Sequence, residues 1–132
     1  MNPIIFKAYD IRGKYPAEIN EQVVSEIVAV LGKFFKKGRI VIGHDIRLSS
    51  PKLYQAAINQ LKTDKSKFKI IPIGLTTTPM FYFLVNYFKA AGGIMITASH
   101  NPKEYNGLKV VKEKAVPVSG KDIMKLLKVK KR

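Results

Sequence analysis

Apolar residues recur at intervals of three and four from Asn20 to about Lys37, at Val23, Val24, Ile27, Val28, Leu31, Phe34 and Phe35. The spacing predicts an amphipathic helix that Asn20 caps and Gly38 ends. Arg39-Ile40-Val41-Ile42-Gly43 then reads as a short β-branched strand. Ser50 as cap and Pro51 at the first helical position open a second helix, whose stripe is Leu53, Tyr54, Ala57, Ile58 and Leu61. Phe68 to Gly74 predicts a second strand, placed at an edge because Pro72 cannot donate to a ladder. Thr76-Thr77-Thr78-Pro79 opens a third helix by the same device, carrying Met80, Phe81, Phe83, Leu84, Tyr87 and Phe88. Ile94-Met95-Ile96, a continuous apolar run after Gly92-Gly93, suits a central strand covered on both faces. Lys103 to Gly107 predicts a turn with an Asn-Gly signal, after which Leu108-Lys109-Val110-Val111 returns antiparallel. Gly120 to about Lys128 closes the chain on a short amphipathic helix, and Phe6 to Gly13 alternates enough for a short extended opening. Strands alternating with helices define an α/β layer fold.

Polarity switches abruptly after the Ile94-Met95-Ile96 run, at Ser99, His100 and Asn101. In open α/β sheets ligands bind at the carboxyl ends of strands, so this cluster is a candidate site. The competing reading is an Asn-Pro turn whose serine bonds to nearby backbone. Serine is a weak nucleophile unless a base or phosphoryl chemistry activates it. His100 is adjacent, but neighbours in extended chain point to opposite sides, and no Gly-x-Ser-x-Gly elbow surrounds Ser99. Acyl transfer is therefore disfavoured. Phosphoryl transfer depends on positioning and positive charge, which Arg12, Lys109, His100 and backbone N–H groups could supply. Asp10 and Arg12 share a face in extended chain and can pair, with Tyr9 pointing the other way. Asp45-Ile46-Arg47 repeats the letters of Asp10-Ile11-Arg12, though three letters do not define a repeat.

Composition narrows the field. With 132 residues, 46% of them hydrophobic, the chain is long enough for one core, and residues 1–132 are expected to form a single domain. No apolar run approaches the roughly 18 residues of a membrane span, and the N-terminus lacks signal-peptide design, so a cytoplasmic protein with no membrane partner is expected. The absence of cysteine excludes disulfides and thiolate sites. A net charge of +15, densest at Lys125, Lys128, Lys130, Lys131 and Arg132, favours phosphorylated ligands or polyanions. Most of the seven Phe and six Tyr fall at helical core spacing rather than as a platform for stacking bases, so nucleic acid is not the expected partner.

Four motifs in one order carry a resemblance. Phe6-x-x-Tyr9-Asp10-Ile11-Arg12-Gly13, Gly43-x-Asp45-x-Arg47-x-Ser49-Ser50 and Gly74-x-x-Thr77-Thr78-Pro79 precede Thr97-Ala98-Ser99-His100-Asn101-Pro102, which continues through Tyr105-Asn106-Gly107 to Lys109. Together they resemble the α-D-phosphohexomutases, in the phosphomannomutase/phosphoglucomutase branch, and cover nearly the whole chain. The resemblance implies a three-layer α/β/α first domain with a four-stranded mixed sheet, order 2-1-3-4, strand 4 antiparallel. It implies that Ser99 carries the phosphoryl group exchanged with a hexose phosphate through a bisphosphorylated sugar, and that its phosphate supplies one ligand to Mg²⁺. Tyr9, Arg12, His100 and Lys109 would line the site, with His100 or Lys109 assisting proton transfer, Arg12 stabilising phosphate charge and Asn101 shaping the loop. Glucose or mannose 1,6-bisphosphate would be the activator.

Relatives of this type have four domains, and the second to fourth, with their metal, sugar and phosphate loops, are expected to be missing here. The four aspartates, Asp10, Asp45, Asp64 and Asp122, are too dispersed to replace the metal loop. The chain alone is therefore expected to be inactive as a mutase, without a cofactor of its own, and to need domains II to IV or a complementary chain. The alternatives are a basic module that binds polyanions and a fragment of a phosphoglucosamine mutase.

Overall fold

A computed structural model describes residues 1–64 and 66–130. Lys131 and Arg132 of the basic cluster lie outside the described residues. After a 3-10 turn at Pro3–Ile5 come strand β1 (Ile11–Lys14), helix α1 (Glu21–Phe34), β2 (Gly38–His44), α2 (Ser50–Leu61), β3 (Phe68–Leu75) and α3 (Thr78–Tyr87). β4 (Gly92–Ile96), β5 (Tyr105–Lys112), β6 (Val116–Val118) and α4 (Gly120–Lys130) complete the chain.

The strands form one mixed sheet, β1-β5-β4-β2-β3, with β6 beside β5. β3, β2 and β4 are parallel, whereas β5 is antiparallel to β4, β1 and β6. The expectation of a four-stranded sheet in the order 2-1-3-4 is thus corrected: β3, β2, β4 and β5 do lie side by side, but six strands are present. The two additional strands, of four and three residues, both pair with the free edge of β5. Pro72 lies in β3, an edge strand.

Alternation along the central strands divides the core. Ile40, Ile42, Ile94, Ile96, Leu108 and Val110 pack with buried residues of α1, α2 and α4, while Val41, Met95 and Val111 pack with Phe81 and Val85 of α3. All five residues of β4 are buried, as a strand covered on both faces must be. Its paired glycines make room for rings from either layer. A Cβ at Gly92 would meet Phe35 at 2.4 Å, and one at Gly93 would meet Phe81 at 2.8 Å.

Four local expectations are revised. Ser49, not Ser50, is the cap position of α2 and makes no side-chain cap bond; the Ser50 hydroxyl instead donates to Asp45. Helix α1 stops at Phe34, with Gly38 already in β2, and Phe34 is exposed while Phe35 turns inward. On α3 only Phe81 and Val85 are buried, leaving Met80, Phe83 and Tyr87 on the outer side, where the Phe83 and Tyr87 rings stack with centroids 6.0 Å apart. Finally, Asn106-Gly107 is not a turn but part of β5. Asn106 is buried and bonded, and Gly107 lies where the β1 backbone approaches: an added Cβ would sit 1.8 Å from the Ile11 carbonyl oxygen. The cap at Asn20 forms as the sequence predicts, accepting from the Val23 N–H, and within the 76–79 opening of α3 the cap is Thr77, which accepts from the Met80 N–H.

Candidate functional site

The carboxyl ends of the three parallel strands meet at one edge. The Asp45 N–H donates to the Ile96 carbonyl and the Thr76 N–H to that of His44, tying the segments that leave β2, β4 and β3 together. A cleft of about 1340 Å³ opens there, bordered by the 45–48 loop, the first turn of α3 and the 97–104 segment. Ser99, His100, Asn101 and Lys109 all line it.

Ser99 has φ +54°, the left-handed region that a residue with a side chain enters at a cost of about 1–2 kcal/mol. Its N–H donates to Thr97 Oγ1 at 3.0 Å, and the Asn101 N–H to the Ala98 carbonyl at 3.1 Å. Among the described residues its hydroxyl has no hydrogen-bond partner, and His100, exposed on the rim, has none either. The adjacent serine and histidine are thus not a bonded pair.

The cations come from β5, which pairs with β4, and from β1 beyond it. Asp10, only 3% exposed, accepts from Arg12 Nε at 2.8 Å and from Lys109 Nζ at 3.2 Å. Arg12 Nη1 reaches on to the Asn101 side-chain oxygen. A buried carboxylate between two partly exposed cations is compensated, and it fixes both cations beside the Ser99 loop. The pairing of Asp10 with Arg12 expected from spacing is present. Tyr9 is 78% exposed and does not line the cleft, so its expected place at the site is not seen in this structure.

Sequence reasoning missed a second set of side chains. Arg47, with a side chain 12% exposed, donates from Nη2 to the Ser99 and Asn101 carbonyls at 2.9 and 2.7 Å. Its Nη1 donates to those of Pro102 and Tyr105 at 2.6 and 3.1 Å. Asp45 faces Arg47 Nε at 3.4 Å and accepts from the Ser50 hydroxyl at 2.6 Å. Asn106 donates to both Ser49 and Ser50, joining β5 to the 45–50 loop. The repeated Asp-Ile-Arg letters were the available signal.

Among the described residues no group of three His, Cys, Asp or Glu side chains converges to hold a metal, and both Asp10 and Asp45 are engaged in ion pairs. The ligands present do not by themselves fit the expected Mg²⁺, so no step is derived through it. No helix among the described residues is long and apolar enough to cross a membrane.

The class is defined by the fold: an α/β/α layer with the Ser99 loop at the ends of its parallel strands and with Arg12 and Lys109 paired to one buried carboxylate beside it. Residues 3–131 match the family described as phosphoglucomutase/phosphomannomutase, alpha/beta/alpha domain I. The chain belongs to that family. It is 43% identical over 125 residues to a phosphomannomutase of Klebsiella pneumoniae, covering 92% of this chain and 78% of that protein. It is 48% identical over 114 residues to a Xanthomonas campestris protein described as phosphohexose mutases, covering 86% of this chain and 25% of that one. The fold superposes on a phosphoglucomutase/phosphomannomutase family protein of Burkholderia thailandensis with a TM-score of 0.83 at 29% identity, over 97% of this chain and 30% of the other. The chain thus spans about a quarter of the length of the Xanthomonas relative.

Proposed function

We propose that this chain is the phosphoserine-bearing part of a phosphomannomutase/phosphoglucomutase, with Ser99 as the oxygen that carries the phosphoryl group. The observation that supports the reading best is Ser99, which lines the cleft with its hydroxyl unbonded among the described residues, beside Lys109 and Arg12 that one buried carboxylate holds in place.

In the forward half-reaction the bond between phosphorus and Ser99 Oγ breaks as a bond from phosphorus to a sugar hydroxyl oxygen forms. The sugar hydroxyl loses its proton to the His100 imidazole, while the Lys109 ammonium gives a proton to the Ser99 oxygen as it leaves, so that Ser99 ends as the hydroxyl that accepts the phosphoryl group in the return step. The second half-reaction reverses this with the phosphate at the other end of the bisphosphorylated sugar. Arg12 and Lys109 offset charge on the transferring group, and Asn101 holds the loop against Arg12. Glucose or mannose 1,6-bisphosphate would charge Ser99, and the two sugars define the substrate class. Magnesium, when bound, would neutralise phosphate charge, with the phosphate on Ser99 as one ligand and the remaining ligands from outside this chain.

The relatives' greater length supports a division of labour in which sugar selection and metal binding lie outside these residues. The chain alone is expected to show negligible mutase turnover. Adding the complementary domains of a phosphomannomutase in trans should restore turnover for wild type and not for Ser99→Ala. Substantial turnover by the chain alone, or restored turnover in Ser99→Ala, contradicts the reading.

A further inference from the structure

The two Asp-Ile-Arg tripeptides converge on one loop. In each, an aspartate fixes the Nε of the arginine two residues on, and the guanidinium then reaches the Ser99 loop. Arg12 takes the Asn101 side chain, while Arg47 takes the carbonyls of Ser99, Asn101, Pro102 and Tyr105. Asn101 is common to both, through its side-chain oxygen to Arg12 and its main-chain oxygen to Arg47.

We propose that Arg47 is the positioning residue of this site: its guanidinium binds four carbonyl oxygens of the 99–105 segment and thereby holds Ser99 in its left-handed conformation with the hydroxyl toward the cleft. The chemistry favours arginine at this position. A planar guanidinium presents five donors in a fixed fork, and here one edge serves two carbonyls from each terminal nitrogen while Nε faces Asp45. A lysine ammonium has three donors at one point and cannot span the same set. Carbonyls that converge on one point repel each other unless a cation sits among them. Without Arg47 the loop would relax, and Ser99 would lose the support for a conformation that costs a residue with a Cβ. Arg47 borders the cleft, but its guanidinium donors are committed to the four loop carbonyls and to Asp45, so it acts through Ser99 rather than on a ligand.

The role in phosphoryl transfer rests on the reading of Ser99 given above; the role in loop order does not. The test is therefore hydrogen exchange of the backbone amides of residues 97–105 other than Pro102, read by mass spectrometry, together with phosphate gain at Ser99 on incubation with a hexose 1,6-bisphosphate, magnesium and the complementary domains of a phosphomannomutase. Arg47→Ala should exchange the loop at least about tenfold faster with the sheet peptides unchanged, since charge-assisted bonds are lost. Arg47→Lys should share most of that loss. Guanidinium ion at millimolar concentration should slow exchange in Arg47→Ala, and sodium chloride at equal concentration should not. If Ser99 accepts phosphate in the wild type, Arg47→Ala should slow its gain by about a hundredfold, the usual consequence of a misplaced reacting group. Should Arg47→Ala unfold altogether, Arg47→Lys decides: faster exchange confined to the loop supports the proposal. Wild-type exchange in either variant overturns it. A wild-type chain that takes no phosphate counts against the Ser99 reading, and the exchange comparison still decides the role of Arg47.

Discussion

Asp10-Ile11-Arg12 and Asp45-Ile46-Arg47 have the same letters and the same local pairing of aspartate with the arginine two residues on, yet the isoleucine between them has opposite fates. Ile11 is fully buried at the start of β1, whereas Ile46 is 85% exposed in the loop after β2. The pairing is local and survives either backbone; burial of the middle residue depends on whether the segment joins the sheet. The two guanidiniums also differ in use. Arg47 is taken up by carbonyl oxygens, so it organises protein. Arg12 has Nη2 without a partner among the described residues, and its aspartate also anchors Lys109, so this tripeptide gathers two cations at one buried carboxylate.

Gly107→Ala breaks the first tripeptide's support and leaves the second's intact. Its Cβ would collide with the Ile11 carbonyl, so β1 must lift from β5. We expect a loss of about 3 kcal/mol, at the upper end for overpacking, in urea unfolding. A loss below about 1 kcal/mol would show that β1 pairs more loosely than described. Asp10→Asn acts on charge instead of space, leaving Arg12 and Lys109 close together without their carboxylate. Because both cations are partly exposed, about 2 kcal/mol is expected rather than the larger cost of a fully buried pair, with a further loss at low salt. Asp45→Asn should cost only about 1 kcal/mol, since the amide oxygen can still accept from Ser50 and Arg47 keeps its carbonyls. If Asp45→Asn proves more damaging than Asp10→Asn, the assignment of the buried anchor to the first tripeptide is wrong.

The smallest effect lies away from both arginines and serves as a control. The Tyr15 hydroxyl donates to Glu21 at 2.8 Å, and that bond, then burial and the carboxylate charge, raise the Tyr15 pKa above 10.0. A raised folded-state value means the contribution is fully present below pH 10.0 and is lost as pH rises through the raised value. Tyr15→Phe should remove that alkaline slope in a stability-against-pH series while leaving the Ser99 loop unchanged. An undiminished slope would assign it to another group.

Periodicity located the helices and the four long strands because each buries one stripe or both faces in the core, and burial leaves a regular pattern. β6, at three residues, is too short to show alternation, and the extended opening expected over Phe6 to Gly13 overlaps β1 without revealing its place in the sheet; only long-range pairing with β5 makes both sheet strands. Asn106-Gly107 misled for a related reason. The dipeptide favours turns locally, but here Asn106 is buried against Ser49 and Ser50, and Gly107 admits a neighbouring backbone. At the cleft, Ser99, His100 and Asn101 could be found because they are chemically conspicuous at a strand end, and Lys109 because it is a charged residue within an apolar strand. Arg47 left only the repeated Asp-Ile-Arg letters as a signal, because its partners are main-chain oxygens, which carry no residue-type pattern. The exposed aromatics of α3 follow the same lesson: helical spacing gives two apolar stripes there, and only the one containing Phe81 and Val85 meets the sheet.

The most direct test of the central claim is the intact mass of the chain before and after incubation with glucose 1,6-bisphosphate, magnesium and the complementary domains of a phosphomannomutase. The account predicts a gain of one phosphate, mapped by fragmentation to Ser99, in wild type and none in Ser99→Ala. No gain in wild type, or a gain that persists in Ser99→Ala, would contradict it.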